Sequence, residues 1–341
     1  MMIPPIPLVI DTDTGTDVDD ALALMFALAS PELDLIGVTV VDANVDVRAQ
    51  LVSRLLGMAG RADIPVVKGE NNPIGAGRMP TWFGHEGRGI LDLDYDGPVA
   101  PIQEVPAADW LVQQSHEKAY HLAAIGPFTN VARAFQQDPT LKDRLLGLTV
   151  MGGMAHPETY IPTWQKFFQD TGILPAHLDH NTASDVEAAL QVARAGAPMT
   201  WVTAELTFCT YLNKSAIERF RATGTLLGAA LAQMLQIWND EWFHFIPQFP
   251  DYPSPFPPTT AACLHDPLAI ASIFGAPQLT LRNHALRFGI EGHLFRLHEV
   301  GQAAAEVVHP VSVAVDDAAF EAFFMERVEA YLQNQAWRPS A

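Results

Sequence analysis

Ten residues near the N-terminus carry five carboxylates: Asp11-Thr12-Asp13-Thr14-Gly15-Thr16-Asp17-Val18-Asp19-Asp20. They follow an apolar run, Pro7–Ile10, and lead into a helix-forming stretch that begins Ala21-Leu22-Ala23-Leu24. Like charges about 4 Å apart repel by roughly 1 kcal/mol in water and by several times that in a partly buried cleft. A cluster of this density therefore calls for a cation. The helix N-terminus offsets only about 0.3–1 kcal/mol for each of Asp17, Asp19 and Asp20. An N-cap with an acidic first turn accounts for one or two of these residues. It leaves Asp11 and Asp13 at the strand end unexplained, and also Gly15, which permits a tight backbone approach. Carboxylate oxygens with no Cys partner suit a hard cation, Ca2+ or Mg2+. The spacing is not that of an EF-hand loop, which needs a preceding helix and a Glu at its end.

The elements that must position this cluster show in the hydrophobic pattern. Strand-like runs at Pro7–Ile10, Leu35–Val40, Ile64–Val67, Tyr120–Ile125, Leu148–Met151 and Met199–Val202 alternate with helix-period segments. Those segments are Ala21–Ala29, Ala49–Met58, Val131–Gln136 and Val186–Ala195. Uninterrupted apolar strands followed by helices predict an α/β fold, doubly wound, with a mostly parallel central sheet flanked by helices. Ligands of such folds sit beyond the carboxyl ends of the strands. Residues 1–341 are read as one domain with loop insertions at about 69–101, 154–178 and 248–260. Gly69–Pro101 is read as a long surface loop. A long helix is expected over about Leu226–Trp242, followed by a Pro-rich lid at Gln248–Pro258.

Composition narrows the class. The 341 residues include 20 Lys+Arg and 39 Asp+Glu, a formal net charge of −19, with 49% apolar and 17% charged residues. That is a folded, core-rich chain. Its charge argues against nucleic-acid and anionic-membrane partners, which need a basic surface. Cys209 and Cys263 are too few and too far apart for a metal knuckle or a disulfide framework. No signal peptide is expected from Met-Met-Ile-Pro-Pro-Ile-Pro, and no run reaches the roughly 18 apolar residues that span a bilayer. A cytoplasmic location is the default expectation.

Two enzyme families place acidic residues in this way. An apolar strand ending in Asp-x-Asp resembles the haloacid-dehalogenase-type phosphohydrolases, which use a nucleophilic Asp and Mg2+. The continuation into Asp19-Asp20-Ala21-Leu22-Ala23 looks more like the nucleoside hydrolases, N-ribohydrolases that bind Ca2+. Later segments favour the second. Leu264-His265-Asp266-Pro267-Leu268-Ala269 is similar to their His-Asp-Pro-x-Ala motif, and Gly126-Pro127-Phe128-Thr129-Asn130 to their Gly-Pro-Leu-Thr-Asn. Met151-Gly152-Gly153 resembles a Met-Gly-Gly turn. Asp179-His180-Asn181, followed by Asp185-Val186-Glu187-Ala188-Ala189, resembles a Glu-Phe-Asn segment with its Asp-Pro-Glu-Ala-Ala continuation. Val38–Asn44 resembles a strand ending in Gly-Asn. The later Lys and second acidic motif that the dehalogenase reading needs have no good counterpart.

The resemblance implies Ca2+-dependent hydrolysis of ribonucleosides to ribose and free base, in purine or pyrimidine salvage, by a homodimer or homotetramer. A non-catalytic nucleoside-binding homologue is the alternative outside enzymology. By resemblance, Asp13 is a metal ligand and the general base, with Asp20, Asp266 and the carbonyl of Ile125 as further ligands. Asp19 and Asn44 would hold ribose hydroxyls, Asn181 the 3′ side and Asp179 the 5′-hydroxyl. His265 is the candidate general acid for the leaving base, which favours broad or inosine–uridine-type activity. His85, in the loop after the third strand, resembles a loop histidine near the base; a surface placement is equally open. His180 and His244 are read as ordinary packing or surface residues. Of Trp238, Trp242, Phe243 and Phe245, most are assigned to core packing, with Trp242 the best stacking candidate.

Three departures from the family pattern stand out. Two extra residues between Gly15 and Asp19 make Asp17 a competitor for the ligand role. Asp179 replaces the usual Glu. Met154–Leu178 is longer than usual and supplies no evident Asn for a second 5′-hydroxyl contact, which leaves room for a riboside other than a simple nucleoside.

Overall fold

The computed structural model of the chain describes residues 4–75, 82–156, 169–170, 172, 178–243 and 256–335, without the side chains of Trp242, Phe243 and Gln335. His244, Phe245, the lid at 248–255 and most of the 154–178 insertion lie outside the described residues.

The first half alternates strand and helix. It runs β1 (Ile6–Thr12), α1 (Asp19–Leu28), β2 (Leu33–Val40), α2 (Val45–Met58), β3 (Val66–Lys68) and β4 (Ile102–Gln103). Then come α3 (Ala107–Glu117), β5 (His121–Ala124), α4 (Thr129–Gln137), β6 (Gly147–Met151), α5 (His180–Ser184), α6 (Val186–Ala193), β7 (Met199–Val202) and α7 (Ala204–Thr207). The rest is β8 (Tyr211–Asn213), α8 (Ser215–Ala222), α9 (Leu226–Ile237), β9 (Thr260–Cys263), α10 (His265–Ile273), β10 (Leu279–Glu291), β11 (Leu294–Glu299), β12 (Val307–Val315) and α11 (Asp317–Gln335).

Among the described residues, ten strands form one sheet in the order β11-β10-β12-β7-β6-β5-β1-β2-β3-β4. All the pairings from β12 to β4 are parallel, and β10 runs antiparallel to both of its neighbours. The sheet is therefore doubly wound and mostly parallel, as the alternating pattern implies. β1 lies between β2 and β5, so the chain winds one way from β1 to β4 and the other way from β5 to β7. The C-terminal ends of β1 and β5 thus flank a topological switch point, where open α/β sheets form ligand crevices.

Side chains of β1 alternate between two apolar layers, as a strand buried on both faces requires. Leu8 and Ile10 join a core with α1, α2, α9, α10 and α11, whereas Val9 joins α3, α4, α6 and Trp201 on the other face. Each fully buried Leu in such a layer contributes roughly 1.5–3 kcal/mol.

Two expectations need correction. The helix begun at Leu226 ends at Ile237, and Trp238–Phe243 continues as a wider π-helical turn. The described part of the 69–101 segment is a packed strap rather than a surface loop. Ile90 is fully buried, and Arg54 of α2 donates to the carbonyls of Leu91 (2.9 Å) and Leu93. The strands β10–β12 carry no long apolar run: much of β10 is exposed, and charged and polar residues interrupt its alternation. Among the described residues, no helix is long and apolar enough to cross a membrane.

Candidate active site

The first carboxylate of the cluster is a joint, not an open ligand. Asp11 is fully buried, and its Oδ1 accepts from the Thr39 hydroxyl on β2 and from Asn130 Nδ2 on α4 at 2.7 Å. Burial pushes its carboxyl up to about 7. Asp11 thereby ties together the strands and the helix that frame the crevice. Beyond it the chain turns at Gly15, whose φ of 124° is closed to other residues without strain. Gly126, just after β5, clears space for Asp13: a Cβ there would lie 2.8 Å from Asp13 N and Oδ1.

Past this turn, Asp19 and Asp20 open α1, and Asp266 in the first turn of α10 faces them. One oxygen from each lies within 4.8 Å of the other two, and all three residues are buried. Burial and mutual repulsion push their carboxyls well above the usual range. The Thr12 hydroxyl donates to Asp20, while Asp266 Oδ1 is buried without a hydrogen-bond partner. An orphaned buried acceptor among crowded carboxylates fits a hard divalent cation. The donor set is all oxygen and suits Ca2+ or Mg2+.

Asp13 sits in a different environment. Its Oδ2 lies 3.3 Å from His180 Nε2, which is also 3.9 Å from Asp42 Oδ2. Arg48, with no exposed surface, donates to the carbonyls of Asp13 and Thr14 (3.1 Å), to Thr16 Oγ1 (3.1 Å) and to the Asp42 carbonyl (2.8 Å). Burial alone would raise the Asp13 carboxyl; the hydrogen bond and charge of His180 and the charge of Arg48 outweigh it and hold the group below the ordinary value. Asp13 is thus kept ionised, the state a base needs.

Asp13, His180 and the three carboxylates of Asp19, Asp20 and Asp266 line one cavity of about 250 Å3. That is just under the roughly 300–1,000 Å3 usual for drug-sized ligands, so the site is scaled to a small molecule. One side carries Asp13, Ile125, Met151, Asp179, His180 and Asn181; Phe83, Phe208, Trp238, His265 and Asp17 complete the wall. Among its described lining residues there is no Lys or Arg. Negative charge without a basic counterpart disfavours a phosphorylated ligand and favours a neutral or cationic one.

The structure brings most of the sequence-selected residues together. Asn181 Nδ2 donates to the carbonyls of Ile125 (2.6 Å) and Met151 (3.1 Å), which leaves its Oδ1 for other contacts. Asp179 caps α5, and its Oδ2 accepts from the Gly153 amide (2.7 Å) and the Thr182 hydroxyl. Much of its hydrogen-bonding capacity is spent on holding the Gly152–Gly153 turn. His265 is half-buried against the edge of Phe208, with ring centroids 4.7 Å apart, and its Nδ1 lies 2.6 Å from Thr207 Oγ1. Burial pushes its pKa down to about 3, so the ring is neutral at physiological pH. As a general acid it would offer a neutral N–H, not an imidazolium proton.

Two selected residues lie outside the cavity lining. Asn44 is the N-cap of α2, where its Oδ1 accepts from the Val47 amide at 3.2 Å. The turn after β2 instead brings Asp42 Oδ2 within 3.9 Å of His180 Nε2. His85 is buried, not a surface residue; its Nε2 lies 2.8 Å from the Thr16 carbonyl and its ring 6.1 Å from that of Trp238, behind the cavity wall. Sequence reasoning undervalued His180 and Trp238, both of which line the cavity, and missed Asp42, Arg48 and Phe208. Asp42 stood in a quoted segment; Arg48 gave no local signal, because only the fold reveals a buried guanidinium.

With an aspartate-rich cluster at the sheet's switch point, the chain matches across residues 8–322 the model of one family, that of inosine-uridine preferring nucleoside hydrolases. The chain belongs to this family. It is an enzyme that hydrolyses the N-glycosidic bond of ribonucleosides, and the dehalogenase-type reading falls away. Among curated relatives, the pyrimidine-specific ribonucleoside hydrolase RihA of Salmonella arizonae is 29% identical over 81% of each chain. The RihA of Citrobacter koseri is 30% identical over 78% of each. Among solved structures, a purine-preferring ribonucleoside hydrolase from Gardnerella vaginalis superimposes with a TM-score of 0.77 over 96% of this chain and 99% of its own, at 24% identity, and so speaks for the fold.

Proposed function

We propose that this nucleoside hydrolase works with Ca2+ held by Asp13, Asp20, Asp266 and the Ile125 carbonyl, with Asp13 as general base. The observation that carries this reading is the buried Asp19–Asp20–Asp266 triad, with its orphaned Asp266 oxygen, opening onto the cavity that Asp13 lines. A divalent ion there would supply a Lewis-acid centre that acidifies a water and orients ribose hydroxyls.

The chain's own residues supply the remainder. Asp13 accepts the proton from the attacking water as the water oxygen bonds to C1′ and the bond from C1′ to the base nitrogen breaks. The surrounding carboxylates stabilise the positive charge that develops on the ribosyl ring. Asp19 and Asn181 hold the ribose hydroxyls, and Asp179 faces the 5′ end. Phe208 and Trp238 pack against the base, while His265, in the tautomer set by Thr207, hydrogen-bonds the leaving nitrogen. His265 gives that nitrogen its proton and is reprotonated through solvent by the proton that Asp13 took from the water, so free base and ribose leave with Asp13 ionised again.

The test is reducing-sugar release from a panel of purine and pyrimidine nucleosides, with and without chelator, by wild type and Asp13→Asn. Chelator-sensitive release that Asp13→Asn loses is expected. Release that survives both changes would contradict the assignment.

A further inference from the structure

We infer that His180 is a positioning residue for the general base, fixing the Asp13 carboxylate in the orientation from which it takes the water proton, and that Asp42 and Arg48 hold His180 in turn. The inference rests on the reading of Asp13 as the base. His180 is the first residue of α5, directly after Asp179, whose carboxylate caps the helix and fixes where it starts. From there its Nε2 reaches Asp13 Oδ2 at 3.3 Å and Asp42 Oδ2 at 3.9 Å. A ring nitrogen bracketed by two carboxylates has its donor direction set by them.

Asp42 is not placed there by regular structure. It follows β2 with φ of 73°, and Ala43 follows with φ of 54°, two consecutive left-handed residues. Such backbone persists only where its surroundings over-determine it. Here the Asp42 amide donates to the Glu70 carbonyl (2.8 Å) and the Ala43 amide to the Asn71 carbonyl (2.9 Å). Arg48 adds a bond from Nε to the Asp42 carbonyl (2.8 Å) and an ion pair from Nη2 to Asp42 Oδ2 (3.5 Å). The same guanidinium bonds the Asp13 and Thr14 carbonyls. It therefore fixes the backbone of the base and the anchor of the histidine in one frame.

Two other roles fit less well. Although Asp13, Asp42 and His180 could each offer a ligand atom to a metal, the guanidinium already answers the Asp42 charge. Simple packing does not account for a side chain that is 32% exposed on the cavity wall with its nitrogen turned toward two carboxylates.

The experiment is steady-state kinetics of the full chain with Ca2+ on uridine and inosine, comparing wild type, His180→Ala, His180→Gln and Asp42→Asn, with melting temperatures alongside. Partners one step removed from a reacting or ligating group are typically worth about 10–100-fold. His180→Ala is therefore expected to lower kcat by about 10–100-fold with KM held within about threefold. His180→Gln, which keeps a donor at the reach of Nε2, should restore most of that loss. Asp42→Asn should lower kcat less than His180→Ala does. A rise in KM with kcat unchanged would make His180 a substrate contact and overturn the inference. So would a Gln variant as impaired as Ala, or an Ala variant as active as wild type. A wild type inactive on every nucleoside would overturn the base assignment itself, and the inference with it.

Discussion

Two groups of buried carboxylates meet their charge in opposite ways. Asp19, Asp20 and Asp266 are buried together with only acceptors to offer one another, and burial and repulsion drive their carboxyls up. Asp13 and Asp42 are also buried, but Arg48 and His180 stand beside them; Asp13 stays ionised, although burial and the Asp13 charge still raise Asp42. In the proposed site the first group depends on a cation from outside, which Asp13 would share; the second group also has cationic partners built into the chain. A site with a transferable ion and a permanently charged base needs both arrangements, and this fold supplies one from α1 and α10 and the other from β1, α2 and α5.

The comparison breaks most sharply at the first group. Asp266→Asn should cost more than the roughly 10–100-fold typical of outer partners, because in the proposed site Asp266 is a direct ligand; ribose release measured at saturating Ca2+ checks this. The second group fails differently. Removing one partner of a buried ion pair costs about 3–5 kcal/mol, so Arg48→Met should lower stability by several kcal/mol in urea unfolding whether or not Ca2+ is present.

Ion binding and pH sharpen the contrast. Ca2+ at one hundred times its dissociation constant should stabilise the native state by about 2.7 kcal/mol, seen as a raised melting temperature that chelator reverses. Asp17, raised from 3.8 to about 8 by burial and by the neighbouring Asp20 and Asp13, sets a pH signature for the stripped protein. A carboxyl whose native pKa is raised contributes stability that is full below the unfolded value and lost as pH rises through the native one. The stripped protein should therefore lose melting temperature between about pH 4 and 8, with Ca2+ flattening the slope. A stripped protein with no such slope would remove the contrast between the groups. The smallest effect belongs to the wall opposite them. Phe208→Ala should raise KM several-fold, the equivalent of about 0.5–1.5 kcal/mol of ring contact, with less change in kcat.

The legible part of this molecule is the part built from uninterrupted local patterns. Buried parallel strands such as Leu33–Val40 and Met199–Val202 are predominantly apolar, and the acidic segment announces its own need for a cation. Illegible features come from contacts between distant segments. Asp11 and Asp13 are alike in sequence, yet Thr39 and Asn130 turn the first into a joint. Asn44 looks like a site residue until the left-handed turn at Asp42 and Ala43 sends it to cap α2. His180 looks like any helix-start histidine until β1, β2 and α5 converge on it. The half-exposed strands β10–β12 were hidden because solvent-facing positions dilute their alternation.

The most direct test of the central claim is a calorimetric titration of Ca2+ into the metal-stripped full chain, paired with Asp266→Asn. The account predicts saturable binding of one ion per chain that the variant abolishes or weakens strongly. Absence of binding in a wild type that still releases ribose, or equal binding by the variant, would contradict it.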